Sequence, residues 1–129
     1  MKEFRILLEN KPLEFVEFCE ALSRSGINIK SIVAESDDKV IRIHLITEDE
    51  KTTKTELDRK KLVYTTNEIL AIKMIDKPGE LAKVMRKLSN AKIRIDSFYQ
   101  IGREDEKSVF AFSLQRIAEA KAILKQFLE

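Results

Sequence analysis

Two residue types that commonly perform chemistry occur once each in this chain. Cys19 is the only cysteine and His44 the only histidine among 129 residues. One cysteine allows no internal disulfide and no cysteine cluster, and one histidine excludes a zinc site made of several histidines. No serine, cysteine or aspartate stands in a recognisable spacing to His44, so nucleophilic catalysis has no support. We therefore expect no enzyme activity, no metal and no cofactor.

A second group of candidate residues lies ahead of two predicted helices and occurs twice. Asn10-Lys11-Pro12 matches Asp76-Lys77-Pro78 after a shift of 66 residues. The apolar positions that follow coincide without a gap: Phe15 with Leu81, Phe18 with Val84, Cys19 with Met85, Leu22 with Leu88, Ile27 with Ile93 and Ile29 with Ile95. An internal repeat of this kind predicts two copies of one folding unit. We expect modules at residues 1–67 and 68–129.

Each copy has the spacing of an amphipathic helix. In the first copy one helix face is formed at positions i, i+3, i+4 and i+7 by Phe15, Phe18, Cys19 and Leu22. We expect this whole stripe, Cys19 included, to lie in the core. Pro12 and Pro78 suit the first turn of the two helices, where a missing backbone N–H is harmless.

Strands and a second helix are predicted around each of these helices. Runs rich in β-branched and aromatic residues predict strands at Phe4–Glu9, Ile27–Glu35, Val40–Thr47 and Leu62–Glu68, then at Ile69–Ile75, Ile93–Ile101 and Ser108–Leu114. Further helices are predicted at Glu48–Lys61 and Arg116–Leu128, and a turn at Gly102–Lys107. The hydrophobic content of 43% is enough for a packed core.

The order βαββαβ predicts an α+β fold of the ferredoxin-like type, with two helices on one face of each antiparallel sheet. The second copy stops before its last strand, so the first strand of that copy lacks its usual neighbour. An unpaired strand edge invites pairing. We expect the first copy or a second chain to close it, which favours a homodimer.

The motif residues resemble the ACT-domain pattern, Asp-x-Pro-Gly-x-Leu followed by a helix and an Ile-x-Ile strand. In the second copy this pattern is Asp76-Lys77-Pro78-Gly79-Glu80-Leu81 and Ile93-Arg94-Ile95. The first copy resembles it through Asn10-Lys11-Pro12-Leu13-Glu14-Phe15 and Ser25-Gly26-Ile27-Asn28-Ile29. The resemblance spans nearly the whole chain and points to small stand-alone tandem ACT proteins. It implies a non-catalytic regulatory module that binds an amino acid or similar metabolite.

The resemblance also implies a ligand site between neighbouring modules, where the loop before the first helix of one faces the second strand of the other. The carboxylate of an amino acid suits the backbone N–H groups of a helix N-terminus, and its ammonium needs an oxygen acceptor. Asp76 could supply that acceptor, Asn10 a neutral version, and Gly79 a close approach to the backbone. The candidate ligand-binding residues are Asp76, Lys77, Pro78, Gly79, Glu80, Gly26, Ile27, Asn28, Asn10 and Leu13.

The two copies depart from the pattern in complementary ways. The first has Leu13 where the family has glycine but keeps Gly26, whereas the second has Gly79 but carries Lys92 in place of the later glycine. If the loops pair crosswise, one site combines Asp76–Gly79 with Gly26–Asn28 and is intact. The other combines Asn10–Leu13 with Lys92–Arg94 and is altered. We therefore expect one competent ligand site per chain.

Structural interpretations of the same residues remain open at this point. Asp76 and Asn10 are residue types favoured at helix starts, and Gly79 suits a tight turn. Gly26 fits a helix C-terminal cap better than a ligand contact. His44 alternates with apolar neighbours and is expected on the sheet face away from the helices.

Two other functions also remain open. An assembly module without working pockets is compatible with Leu13 and Lys92. RNA binding has less support, because Phe110-Ala111-Phe112 only partly matches the aromatic pattern of RNA-recognition modules and the net charge is +2. With neither a signal-type start nor a membrane-length apolar run, we expect a cytoplasmic protein that contacts neither nucleic acid nor membrane. Its partners would be a second copy and an unidentified regulated protein.

Overall fold

The computed structural model describes residues 1–128, which divide into two compact units. Module 1 comprises Lys2–Asn67, and module 2 comprises residues 68–128 together with Met1. Both modules have antiparallel sheets and two helices, so the predicted α+β class and the tandem ferredoxin-like topology are confirmed. Within the described residues, no helix is long and apolar enough to cross a membrane.

Module 1 contains four strands and two helices. They are β1 (Lys2–Glu9), α1 (Pro12–Arg24), β2 (Ile29–Ser36), β3 (Val40–Thr47), α2 (Glu50–Arg59) and β4 (Val63–Glu68). The sheet order is β2-β3-β1-β4, which places the first and third strands in the centre. Strand β3 pairs antiparallel with both β1 and β2.

The core of module 1 follows from the period-two pattern of its strands. Alternate side chains of β1 and β3 point to the helices, because Ile6 lies opposite Ile43 and both are 1% exposed. The buried cluster consists of Phe4, Ile6, Leu8, Phe18, Leu22, Ile27, Ile41, Ile43, Leu45 and Leu57. The expectation for Cys19 is wrong, since its side chain is exposed. Helix α1 buries Phe18, Ala21 and Leu22, which turns Cys19 toward the flank of the helix.

Module 2 repeats this order with three strands among the described residues. They are β5 (Leu70–Ile75), α3 (Glu80–Asn90), β6 (Ile95–Glu104), β7 (Lys107–Leu114) and α4 (Ile117–Ile123), followed by a 3-10 turn at Lys125–Phe127. The sheet order is β5-β7-β6, equivalent to three of the four strands of module 1. The helix predicted at Arg116–Leu128 is interrupted at Leu124, between α4 and the 3-10 turn. Leu124 and Phe127 are buried in the core of this module.

The hairpin of module 2 is tighter than predicted. Strand β6 ends at Glu104 and strand β7 begins at Lys107, so the turn between them consists of Asp105 and Glu106 alone. Both turn residues have positive φ, 47° and 67°, as two-residue hairpin turns require. The predicted turn at Gly102 is wrong, because Gly102 lies inside β6 at a register shift after Gln100. Neither Asp105 nor Glu106 is the glycine that normally marks such a turn in a sequence.

Three helices end in one hydrogen-bonding pattern, with a left-handed residue after the cap. These residues are Gly26, Lys61 and Lys92, with φ of 67°, 56° and 57°. The amide of Lys92 donates to the carbonyl of Ser89 at 2.9 Å, and that of Ile93 donates to Leu88 at 3.0 Å. This is the Schellman arrangement, for which glycine is the preferred residue. The prediction that Gly26 is a helix cap is confirmed.

Candidate functional site

The loops that precede the first helix of each module differ in length, because α1 starts two positions earlier in the repeat than α3 does. Helix α1 begins at Pro12, whereas α3 begins at Glu80, the counterpart of Glu14. Gly79 adopts a left-handed conformation, φ 91°, and therefore ends the loop just before α3. The prediction that Pro78 lies in the first helical turn is wrong for this reason.

A polar pocket of about 140 Å³ lies at the start of α3. Its lining residues come from the end of β5, from the loop, from α3 and from both strands of the hairpin: Met74, Ile75, Asp76, Lys77, Glu80, Leu81, Gln100, Ser108 and Phe110. Three of the predicted site residues, Asp76, Lys77 and Glu80, are thus brought together within module 2. The polar side chains that the strands contribute form only a long hydrogen bond with each other, since the Gln100 amide is 3.5 Å from the Ser108 hydroxyl.

Glu80 is the buried acid of this pocket, with 7% exposure. Its carboxylate lies 3.6 Å from the Lys77 ammonium and 3.5 Å from the Lys83 ammonium. These distances exceed the 2.7–2.9 Å of a close charge-assisted hydrogen bond. The carboxylate sits in the first turn of α3, where the helix dipole favours negative charge. It is therefore an acidic group with loosely held counter-ions at the pocket wall.

Asp76 has a different partner. Its carboxylate accepts a hydrogen bond from the Arg103 guanidinium on β6, and both side chains are about half exposed. The residue at the N-cap position of α3 is Gly79, and no side chain caps this helix. The interpretation of Asp76 as a helix cap is therefore wrong. Its ion pair instead ties the loop before α3 to strand β6.

Asn10 connects the loop before α1 to the hairpin of module 1 through hydrogen bonds. Its side-chain amide donates to the carbonyl oxygen of Asp37, and its backbone amide donates to the carbonyl of Lys39 at 2.9 Å. Lys11, not Asn10, occupies the N-cap position of α1, so the capping interpretation is wrong here as well. Both modules therefore fasten the loop before the first helix to the following hairpin, by an ion pair in one and by hydrogen bonds in the other.

A larger apolar groove occupies the corresponding place in module 1. Its volume is about 540 Å³, and its lining residues are Asn10, Lys11, Pro12, Phe15, Val16, Cys19, Glu20, Ala34, Glu35, Ser36 and Ile41. Leu13 does not line it and is 65% exposed. The groove lies between the flank of α1 and strand β2, and Cys19 forms part of its helical wall.

The remaining predicted residues lie beyond the other end of the first helix. Gly26 and Asn28 are exposed, whereas Ile27 is buried in the core of module 1. Their counterparts Lys92, Ile93 and Arg94 line an open depression in module 2. Thirteen helical residues separate the two halves of the motif in α1, a distance of roughly 20 Å. A single module therefore does not bring the two halves together.

Comparisons with known proteins address the fold. No protein-family model and no curated protein matches this chain. A solved structure of a protein from Bacteroides thetaiotaomicron matches with a TM-score of 0.88 at 22% identity, covering 97% of this chain and 86% of that one. The structure of the aspartokinase alpha and beta subunits matches with a TM-score of 0.66 at 14% identity, covering 97% and 90%.

The ligand-free regulatory subunit of aspartate kinase from Thermus thermophilus matches with a TM-score of 0.65 at 11% identity, covering 99% and 92%. The aspartokinase neighbours are ACT-domain proteins. This chain has the tandem ACT-domain fold. Because every identity is 22% or lower, the likeness concerns the arrangement of strands and helices.

Several pocket residues of the two modules were not predicted from the sequence. Gln100 and Ser108 face the pocket of module 2, and Ala34 and Ile41 face the groove of module 1. They lie on strands far from the motif in sequence, and only the pairing of the strands brings them beside the loop. The 66-residue repeat, extended from the helix to strand β2, relates Ala34 to Gln100 and could have found that pair.

The two chemically distinctive side chains of the ACT modules do not form a reaction centre. His44 lies on β3 opposite Arg5, and its Nδ1 is 3.0 Å from the carboxylate of Glu3, which is fully buried. Cys19 is in the groove wall on the helical side of the same sheet. Across residues 1–128, no three His, Cys, Asp or Glu side chains are grouped closely enough to hold a metal ion.

Proposed function

We propose that this protein is a non-catalytic regulatory module that binds a free amino acid and controls a separate protein. The observation that carries the proposal is the polar pocket at the start of α3, where the buried Glu80 carboxylate lies beside a helix N-terminus. An amino acid presents opposite charges to these two features. The tandem ACT-domain fold, and its occurrence in a regulatory subunit of aspartate kinase, support a regulatory role.

Glu80 is the better acceptor for the ligand ammonium in this proposal. Asp76 already has a close partner in Arg103, whereas the counter-ions of Glu80 are 3.5 and 3.6 Å away. Asp76 then holds the loop, together with Lys77 and Pro78, in the conformation that the pocket needs. Gly79 keeps a backbone position open that a side chain would cover.

The candidate residues of module 1 enter this proposal as further ligand contacts. We propose that Gly26, Ile27 and Asn28 contact the ligand, with Ile27 contributing its backbone because its side chain is in the core. Asn10 and Leu13 belong to the altered copy of the motif, in which leucine replaces glycine. We therefore expect one competent ligand site per chain.

Isothermal titration calorimetry of the full chain with each of the standard amino acids tests this function. We expect at least one amino acid to bind at one site per chain, and Gly79→Leu to abolish that binding. Leu13→Ala, the matched change in module 1, should leave it intact. Two equivalent sites per chain, or full affinity in Gly79→Leu, would contradict the proposal.

An assembly module is the second candidate, and exposed apolar side chains favour it. Leu7 on β1 and Val63 on β4 are 44% and 66% exposed, and both line one pocket of module 1. Apolar groups that cluster at a surface often mark an interface. We expect a homodimer in light scattering across a concentration series, and a pure assembly module would dimerise while binding none of the amino acids.

A further inference from the structure

Three cations lie together on the exposed side of α3. Lys83, Arg86 and Lys87 have the spacing i, i+3 and i+4, so they are neighbours on one helix face, and all three are exposed. We name them the cationic row. We propose that the cationic row is the docking surface for an acidic segment of the regulated protein, and that Lys83 couples docking to the ligand pocket. This inference rests on the proposed function and adds the partner surface to it.

The charge of the cationic row is largely uncompensated. The Lys83 ammonium is 3.5 Å from the buried Glu80 carboxylate. Within residues 1–128, no carboxylate lies in ion-pair distance of Arg86 or Lys87. Like charges at these helical spacings repel each other and destabilise a helix. A partner that supplies carboxylates would relieve this repulsion.

Module 1 shows that the cationic row is not a property of the fold. Glu17 and Glu20 of α1 match Lys83 and Arg86 in the repeat, so two positions of the same helix face carry opposite charges in the two modules. Helix α4, which packs beside α3, adds little negative charge, because its one acid, Glu119, pairs with an arginine at 3.0 Å. The positive charge is therefore specific to α3 of module 2.

The surroundings of the cationic row favour an acidic protein segment over other anionic partners. The large apolar side chains of α3 belong to the core of module 2, so the helix has no apolar face to insert into a membrane: Leu81, Val84, Met85 and Leu88. Helix α3 also has no aromatic side chain on which a nucleic-acid base could stack. Carboxylates at a matching helical spacing are complementary to the row, and the Arg86 guanidinium can bind one of them through two parallel hydrogen bonds.

Lys83 belongs both to the cationic row and to the surroundings of the ligand pocket. In the proposed function the ligand ammonium pairs with Glu80, and it then competes with Lys83 for the same carboxylate. Once displaced from Glu80, the Lys83 ammonium is available to a carboxylate of the partner. Ligand and partner therefore strengthen each other's binding, and thermodynamic linkage makes the two effects equal in size.

Fluorescence anisotropy of a labelled peptide with the full, ligand-free chain tests the docking surface at low ionic strength. The probe is an alanine-based helical peptide with glutamates at i, i+3, i+4 and i+7, and the control peptide has glutamines at those positions. We expect only the glutamate peptide to bind, and Arg86→Glu/Lys87→Glu to raise its Kd by about tenfold or more. The neutral variant Arg86→Gln/Lys87→Gln should raise it less. Arg24→Glu/Lys51→Glu makes the same change in net charge at exposed positions of module 1 and should have little effect.

The same assay tests the coupling when the chain is saturated with the amino acid that calorimetry identifies. We expect saturation to lower the Kd of the glutamate peptide by about fivefold, and Lys83→Gln to remove this effect while the peptide still binds. If no amino acid binds, the proposed function fails, whereas the ligand-free assay still decides whether the cationic row binds an acidic segment.

Four results would overturn the docking surface. The first is equal affinity for the glutamate and glutamine peptides. The second is an equal loss of affinity in Arg86→Glu/Lys87→Glu and in Arg24→Glu/Lys51→Glu, since only the net charge would then matter. The third is a smaller mass of Arg86→Glu/Lys87→Glu in light scattering, because a second copy would then cover the row. The fourth is tighter binding of a single-stranded RNA than of the peptide. An unchanged peptide Kd with the amino acid bound would overturn the coupling.

Discussion

Gly79 and Leu13 occupy the same position of the repeat but have different backbone conformations. Gly79 has a φ of 91° and precedes α3, whereas Leu13 is the second residue of α1. A Cβ atom added at position 79 would meet no atom within 4 Å, so the cost of adding it comes from the left-handed backbone. Module 1, which has leucine at this position, has the longer helix, and Leu13 is not among its residues with positive φ.

The first prediction concerns this left-handed residue. We expect Gly79→Leu to lower the free energy of unfolding by about 1–2 kcal/mol, the cost of placing an L-residue in this region. Gly79→Asn should cost less, because asparagine tolerates left-handed backbone. Urea denaturation of the full chain measures both. Equal stability of wild type and Gly79→Leu would mean that the loop adopts another conformation.

The second prediction concerns Lys92, the residue in the left-handed position after α3. Replacement by glycine removes the steric cost of the side chain in this conformation, while the hydrogen bonds of the cap remain. We expect Lys92→Gly to raise the free energy of unfolding by up to about 1 kcal/mol. Ser89→Gly, an exposed change inside the same helix, should lower it by a similar amount. A destabilised Lys92→Gly would contradict this account of the helix end.

The third prediction concerns the pH dependence of the hairpin between β2 and β3. The backbone amides of Lys39 and Val40 donate to the Asp37 carboxylate, and Arg42 adds a further hydrogen bond. These bonds lower the pKa of Asp37 from 3.8 to about 2. A lowered pKa stabilises the folded state above pH 3.8, and this contribution is lost as the pH falls from 3.8 through about 2.

An NMR titration of the side-chain carboxyl carbon should give a midpoint near 2 for Asp37. Asp37→Asn should lower the melting temperature at pH 7 and have little effect at a pH below 2, where Asp37 is protonated in wild type as well. Asp38→Asn, the adjacent exposed acid, serves as the control and should leave the melting temperature unchanged at both pH values. A midpoint at the ordinary value would show that these hydrogen bonds do not persist in solution.

The fourth prediction identifies the acceptor of the ligand ammonium in module 2. We expect Glu80→Gln to weaken amino-acid binding by about tenfold or more, because a neutral amide loses a charge-assisted hydrogen bond. Asp76→Asn should weaken it less, since Asp76 already pairs with Arg103. Glu14→Gln, the same change at the equivalent position of module 1, is the control. A larger loss in Asp76→Asn than in Glu80→Gln would reverse the two roles.

The sequence predicted the order of strands and helices well where each element has its own periodic pattern. The 66-residue repeat and the apolar stripes located α1 and α3, and alternation located the strands to within a few residues. Local sequence patterns were less informative where tertiary contacts determine which side chains are buried. The stripe placed Cys19 in the core, but helix α1 is turned so that Ala21 is buried and Cys19 faces the groove.

For the site, the sequence by itself determined which residues stand next to each other along the chain: an acid, a proline and a glycine ahead of a helix. Only the tertiary structure decided their partners. The Arg103 guanidinium that binds Asp76, and the strand residues Gln100 and Ala34 that separate a polar pocket from an apolar groove, arrive through strand pairing. The backbone conformation of a short segment depends mainly on the residues within it, so the local sequence predicts it. The volume and the charge of a pocket depend on side chains that are distant in sequence.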